Sequence, residues 1–400
     1  MNSPDGIFLH DGDLLAIPTD PQCGCDFFVR PADVAAAAIE PRALLPSFRR
    51  LTMANARRFC ISLALFTLAP AGLVHFARSE GSYRFLKEIR IGGEGGWDYL
   101  SIDAAARRLY VSHANKVVVI DLDNAAVAGE ISDTPGVHGI ALAPELNRGF
   151  TSNGQESKAS IIDLQTLKTL SKVNTGENPD AILYDPGRQE VYTFNGRGQS
   201  ATVFEAKSGK LVDTVPLPGK PEFAVVDTRV KRVYANIEDK NSVVVIDTET
   251  HKIAVTWPIA PGESASGMAI DFKNHRLFVG CENKLMVMMD SENGRVVSTV
   301  PIGQGVDANA FDPSTGLAFS SNGDGTVTIA REETPEKLAV VQTLTTMRGA
   351  RTMALDPKTH NLYLAAAEYE PALPTVPGAP RPRPKIVPGT FRVLVYGIGK

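Results

Sequence analysis

The stretch "PDAILYDPGRQEVYTFN" (Pro179–Asn195) decides the fold, because "VDANAFDPSTGLAFSSN" (Val306–Asn322) rewrites it in other letters. Each begins near an acidic residue, runs through a short apolar segment to Asp-Pro and a polar turn, then reaches an aromatic and ends on Asn. Self-similarity at a fixed period is the signature of a repeat architecture. Five further copies are present: "LSIDAAARRLYVSH" (100–113), "IALAPELNRGFTSN" (140–153), "AVVDTRVKRVYAN" (224–236), "MAIDFKNHRLFVGC" (268–281) and "MALDPKTHNLYLAA" (353–366). The anchors Asp103, Ala143, Asp185, Asp227, Asp271, Asp312 and Asp356 lie 40 to 44 residues apart, each with an aromatic seven residues on.

Within a copy the apolar runs are too short for helices and rich in β-branched residues. "KVVVIDLDN" (116–124), "SVVVIDTETHK" (242–252) and "LMVMMDSENGR" (285–295) are apolar at successive positions, so these third strands are predicted to be buried on both faces. A fourth strand follows, as in "KLVDTVPL" (210–217). Four strands per unit, covered on both faces by neighbouring units, describe an all-β, seven-bladed propeller with four-stranded blades, spanning 83–400. The seventh unit ends at "FRVLVYG" (391–397) without a fourth strand, and "YRFLKEIRI" (83–91) has the pattern of one. The N-terminal strand is therefore predicted to complete the last blade and close the ring.

Five residues before the anchors stand Asp98, His138, Asp180, Glu222, Ser266, Asp307 and Arg351, all polar, where each unit begins its first strand. Ten residues after them come His113, Asn153, Asn195, Ile237, Cys281, Asn322 and Ala366. By analogy with propellers generally, both sets reach one face of the central channel as two concentric rings. Converging acids repel, which raises pKa values unless a cation offsets them. Asp180, Glu222 and Asp307 are candidate ligands for a divalent metal such as calcium or magnesium. His138 and His113 are candidate general acids or bases, with Arg351 steadying an anionic group. The competing reading is that these side chains satisfy turn N–H groups. His251, His275 and His360 read as solvated turn residues.

"YANIEDKNSVVVIDTETHKI" (234–253) and "YVSHANKVVVIDLDN" (110–124) resemble the repeat that names the YVTN β-propeller family, whose YncE-like members are secreted or periplasmic. The resemblance covers about 83–400 and implies the fold. Related propellers serve as binding modules, lyases, lactonases and cofactor-bearing dehydrogenase subunits, so it implies no single activity. Some YncE-like relatives bind DNA. Here a formal charge of −4, with no run of aromatics among Lys and Arg, argues against a nucleic-acid partner.

Upstream, "MANARRFCISLALFTLAPAG" (53–72) has a basic n-region, a short apolar stretch and Ala69-Pro70-Ala71 as a cleavage site, the order of a signal peptide (53–71). Residues 1–52 precede it and are expected to be a non-native or disordered extension, with translation starting at Met53. Once the leader is removed no stable membrane span is expected, since spanning needs about 20 apolar residues, and Cys281 is left as an isolated thiol. No HExxH, GxSxG or Walker A motif occurs. The proline-rich insert 368–391 replaces a short hairpin and is expected to be extended, crossing the channel mouth as a lid or lying loose on the surface. Its Arg381, Arg383 and Lys385 form a local basic cluster. The expectation is an exported binding or scaffold module presenting an acidic funnel to a small molecule, a metal ion or a partner protein. The alternatives are a metal-assisted lyase or lactonase at the same face, and an accessory subunit docking an electron-transfer protein.

Overall fold

A computed structural model describes residues 81–371 and 385–399. The expected leader, residues 1–52, Arg381 and Arg383 lie outside this range. Among the described residues no helix is long and apolar enough to cross a membrane.

Twenty-eight strands form seven four-stranded antiparallel sheets. Blade 1 is Trp97–Asp103, Arg108–His113, Lys116–Asp121 and Ala126–Ile131. The innermost strands of blades 2 to 7 are Val137–Ala143, Pro179–Asp185, Pro221–Asp227, Ala265–Asp271, Val306–Asp312 and Met353–Leu355. Each touches the innermost strand of the next blade, and Met353–Leu355 touches Trp97–Asp103, so the ring is closed. The seventh sheet is completed out of chain order. Tyr83–Arg90 pairs antiparallel with Arg392–Ile398 from Tyr83↔Ile398 to Arg90↔Arg392.

The repeated letters have distinct physical jobs. Each anchor Asp ends a first strand, or in blade 7 directly follows it, and accepts a backbone N–H of the turn: Asp103 from Ala106, Asp185 from Gly187, Asp227 from Arg229, Asp271 from Lys273, Asp312 from Ser314 and Asp356 from Lys358. This is Asx-turn chemistry, in which the side chain replaces a backbone acceptor. The aromatic seven residues later is buried in every blade. Third strands are buried on both faces, as their unbroken apolar runs require. Seven hydrophobic clusters fill the seven gaps between blades, for example Phe150 and Ile161 of blade 2 against Val191 and Phe204 of blade 3. Cys281 belongs to one of them, and burial pushes its thiol up to about 12, which leaves it a small hydrophobe.

The turn histidines depart from expectation. His251, His275 and His360 do occupy the left-handed turn positions, with φ of 53°, 55° and 60°. Two of them are nonetheless clamped between blades. His251 is buried with Nε2 2.9 Å from Glu190, and His360 Nδ1 lies 2.7 Å from Asp312. An αL turn swings the side chain back over the neighbouring blade, which residue type alone does not disclose.

Candidate functional site

The polar residues that begin the inner strands owe their direction to a backbone irregularity. In blades 1 to 6 the pairing of first and second strands slips at this point, between Trp97 and Leu100, Val137 and Ile140, Pro179 and Ile182, Pro221 and Ala224, Ala265 and Met268, and Val306 and Ala308. A bulge re-aims side chains out of the strict in–out alternation. Asp98, His138, Asp180, Glu222, Ser266 and Asp307 all sit within these slips, and Arg351 just precedes the short inner strand of blade 7.

These residues divide into three linked groups. His138 Nδ1 lies 2.7 Å from Asp98 Oδ2 and 3.4 Å from Asp180 Oδ1, bridging blades 1, 2 and 3. Arg351 Nε lies 2.9 Å from Asp307 Oδ2, while Ser266 Oγ donates to the other oxygen at 3.2 Å. Lys220 Nζ lies 2.6 Å from Glu222 and also binds Glu238 at 2.5 Å. The acidic ring is therefore partly neutralised by cations of its own.

Electrostatics follow from burial and proximity. Burial raises the carboxyl pKa values of Asp98, Asp180 and Asp307, and their mutual repulsion adds to it. Glu222 is pushed up to about 8 by burial and by the charge of Asp180, which outweigh the lowering by Lys220. His138 behaves oppositely. Burial lowers its pKa, but the hydrogen bond to Asp98 and the charges of Asp180, Asp98 and Glu222 outweigh burial and carry it to about 9. At neutral pH His138 is an imidazolium held between two carboxylates.

Two features lie outside the expected rings. Tyr99 of blade 1 and Phe223 of blade 4 meet with ring centroids 5.2 Å apart. Blades three apart in a ring of seven meet only across the axis, so the two rings block the channel. The equivalent residues are Gly139, Ala181, Gly267, Ala308 and Thr352, small enough to leave the space. That contrast was visible in the aligned copies. The Tyr99 phenol lies in the field of Asp307, Asp180, Asp98 and Glu222 and is buried, which raises its pKa strongly. The second feature is a set of buried side chains on second strands. Ser152 and Ser321 donate to the carbonyls of Asp180 and Arg351, and Asn236 to that of Ser266 at 2.7 Å. Each pins a ring residue of the next blade, so these three are positioning residues.

The expected second ring does not face the channel. Asn153, Asn195 and Asn322 are fully buried, and their amides bond within their own blades: to Glu156 and Ser160, to Ser200 and Thr202, and to Thr326. They cap the hairpin from second to third strand, where an unpaired buried amide would be costly. His113 is also internal, its ring stacked on Phe391 with centroids 4.1 Å apart, and burial lowers its pKa. Both of its ring nitrogens are buried.

Among the described residues one set of donor atoms converges well enough to hold a metal ion, Asp98, His138 and Asp180, with all ligand atoms within 4.8 Å of one another. Of the expected trio Asp180, Glu222 and Asp307, this set contains Asp180; Lys220 holds Glu222, while Arg351 and Ser266 hold Asp307. Asp98 and His138 open onto a cleft of about 650 Å³ that extends to Asn178 and Arg197.

The insert is described only at its two ends. Tyr369 bridges Ile386 in antiparallel fashion, flanked by hydrogen bonds between Glu370 and Lys385 and between Val387 and Glu368. Gly389 N–H donates to Gly93 O, tying this base to the loop before blade 1.

No family model matches the chain, and no curated protein matches it. Similar solved structures are many. One is hydrazine synthase of Kuenenia stuttgartiensis, 16% identical, with a TM-score of 0.61 over 68% of this chain and 92% of that one. At that identity the likeness shows a fold and no activity. The chain is a seven-bladed β-propeller.

Proposed function

We propose that the protein is an exported binding module, YncE-like in kind, that takes a small cation on the face where the inner strands begin. One observation carries this reading: Asp98, His138 and Asp180, from three successive blades, bring donor atoms within 4.8 Å of one another beside an open cleft. Carboxylates with raised pKa values gain from an arriving positive charge. The cation is a divalent metal or the charged group of a small molecule. The leader expected at 53–71 supports the exported part of this reading, in the periplasm or outside the cell.

Metal ligation requires neutral imidazole, so His138 must first release a proton that it holds up to about pH 9. Cation affinity should therefore rise with pH through that value. Calorimetric titration with calcium, magnesium and zinc chlorides, at neutral and alkaline pH, tests the reading. Binding that strengthens with pH and disappears in Asp180→Asn supports it; no binding at either pH, or binding indifferent to Asp180→Asn, rejects it.

A metal-assisted lyase or lactonase is a second reading, favoured by the same geometry. A half-buried imidazolium between two acids, lining a cleft, is placed to give a proton to a leaving group. Turnover lost in His138→Gln, with cation binding retained at alkaline pH, would favour it.

A further inference from the structure

Next to the acidic ring lies a second cleft, of about 580 Å³, with opposite chemistry. Its lining includes Trp97, Tyr369 and Ile386 as an apolar wall and Arg348 and Arg351 as two cations, with no carboxylate among the lining residues. We propose that this cleft binds a small anion with a flat apolar body, such as an aromatic sulfonate or carboxylate. The proposal goes beyond the cation reading and does not depend on it.

The wall is assembled from three separate parts of the chain, each fixed by its own contacts. Trp97 stacks on Phe391 at 5.3 Å, and Phe391 stacks on His113 at 4.1 Å, so the indole is backed by a column of rings. Tyr369, from the base of the insert, approaches the indole at 6.2 Å with a tilt of 42°. Beneath it runs the backbone of Gly349, where φ is +83° and an added Cβ would stand 2.5 Å from the Tyr369 hydroxyl. The tilt leaves the two rings open as a wedge, not closed as a stack. Offset and edge-on contacts are the preferred ones for aromatic groups, so the wedge favours a flat ring. Its volume falls in the range of small-ligand pockets.

The two guanidiniums supply the charge. Arg351 spends Nε on Asp307, and its side chain remains half exposed. Arg348, three residues earlier on the same loop, is exposed and makes no ion pair with a described carboxylate. Gly349 N–H is tied to Gly323 O and Arg351 N–H to Gly349 O, which holds the loop carrying both cations. An arginine without a carboxylate partner, beside aromatic faces, is suited to planar anions.

The test titrates the full chain with naphthalenesulfonate and with neutral naphthylmethanol, by calorimetry and by following the indole N–H resonances. The chain has two tryptophans, and buried Trp257 serves as the internal reference for Trp97. One sulfonate should bind per chain and move the Trp97 resonance alone, while the alcohol binds about tenfold more weakly, as loss of a charge-assisted hydrogen bond implies. Arg348→Gln, a change at an exposed loop position, should reduce sulfonate affinity to that of the alcohol without altering the melting temperature. Absence of binding, equal affinity for the two compounds, an unmoved Trp97 resonance, or full affinity in Arg348→Gln each overturns the proposal. Asp180→Asn separates the two sites, since it should remove cation binding and leave sulfonate affinity unchanged.

Discussion

Replacing His138 by Gln removes the one cation that separates the carboxylates of Asp98 and Asp180, which approach it at 2.7 and 3.4 Å. In the folded protein the His138 pKa is carried from 6.5 to about 9. Each unit is worth about 1.4 kcal/mol, so the protonated imidazole contributes about 3 kcal/mol to folding. The sign follows from linkage: a raised pKa stabilises fully below the unfolded value of 6.5, and the contribution is lost as pH rises through about 9. The gap between wild type and His138→Gln, read from urea unfolding, should thus be about 3 kcal/mol near pH 6 and close to zero above the folded pKa. An NMR titration of the imidazole provides an independent reading. A midpoint near 6.5, or a stability gap that widens with pH, would refute the placement of a charged histidine between these acids.

Glu222→Gln should act in the opposite sense. Glu222 titrates near 8 in the fold, so wild-type stability falls as pH rises from 4.5 through 8, and the neutral variant should be the more stable protein at alkaline pH by about 5 kcal/mol. Urea midpoints measured in acid should by contrast nearly coincide. Truncation after residue 388 removes Arg392–Ile398, the strand that joins the inner part of blade 7 to Tyr83–Arg90. Calorimetry should then show loss of cooperative unfolding of the whole domain, not of one blade. Tyr83→Ala tests the same closure more gently. Tyr83 is buried, its hydroxyl donates to His360 O at 2.8 Å and its ring packs on Phe319; the expected cost is about 3–5 kcal/mol. Asp312→Ala removes acceptors for Ser314 and His360 at a buried site, and should cost about 2 kcal/mol in unfolding measurements.

The acidic ring was legible as a list of residues and illegible as a balance of charge. Counting back from the anchor names Asp98, His138, Asp180, Glu222, Asp307 and Arg351 because each copy places a polar residue where its first strand begins. Lys220, which holds Glu222, lies outside that count, two residues away, and reaches its partner only because the chain turns just before the strand. Asn153 and His113 show the converse error. Side chains at strand ends point to alternate faces, and the register of the second strand with the third, His113↔Lys116 and Asn153↔Lys158, turns these two inward. The contact of Tyr99 with Phe223 required knowledge of which blades face each other across the axis.

What the amino-acid order determined alone is the blade, its number and its closure. Four successive strands and their Asx turns are local structures, and a period repeated seven times with one displaced strand admits one ring. What only the tertiary structure decided is the chemistry of the axis: which acid meets which cation, which aromatics block the channel, and where Arg348 stands without an ion pair among the described residues. Those facts depend on distances between blades far apart in the chain, and the spacing of letters in a repeat carries no measure of such distances.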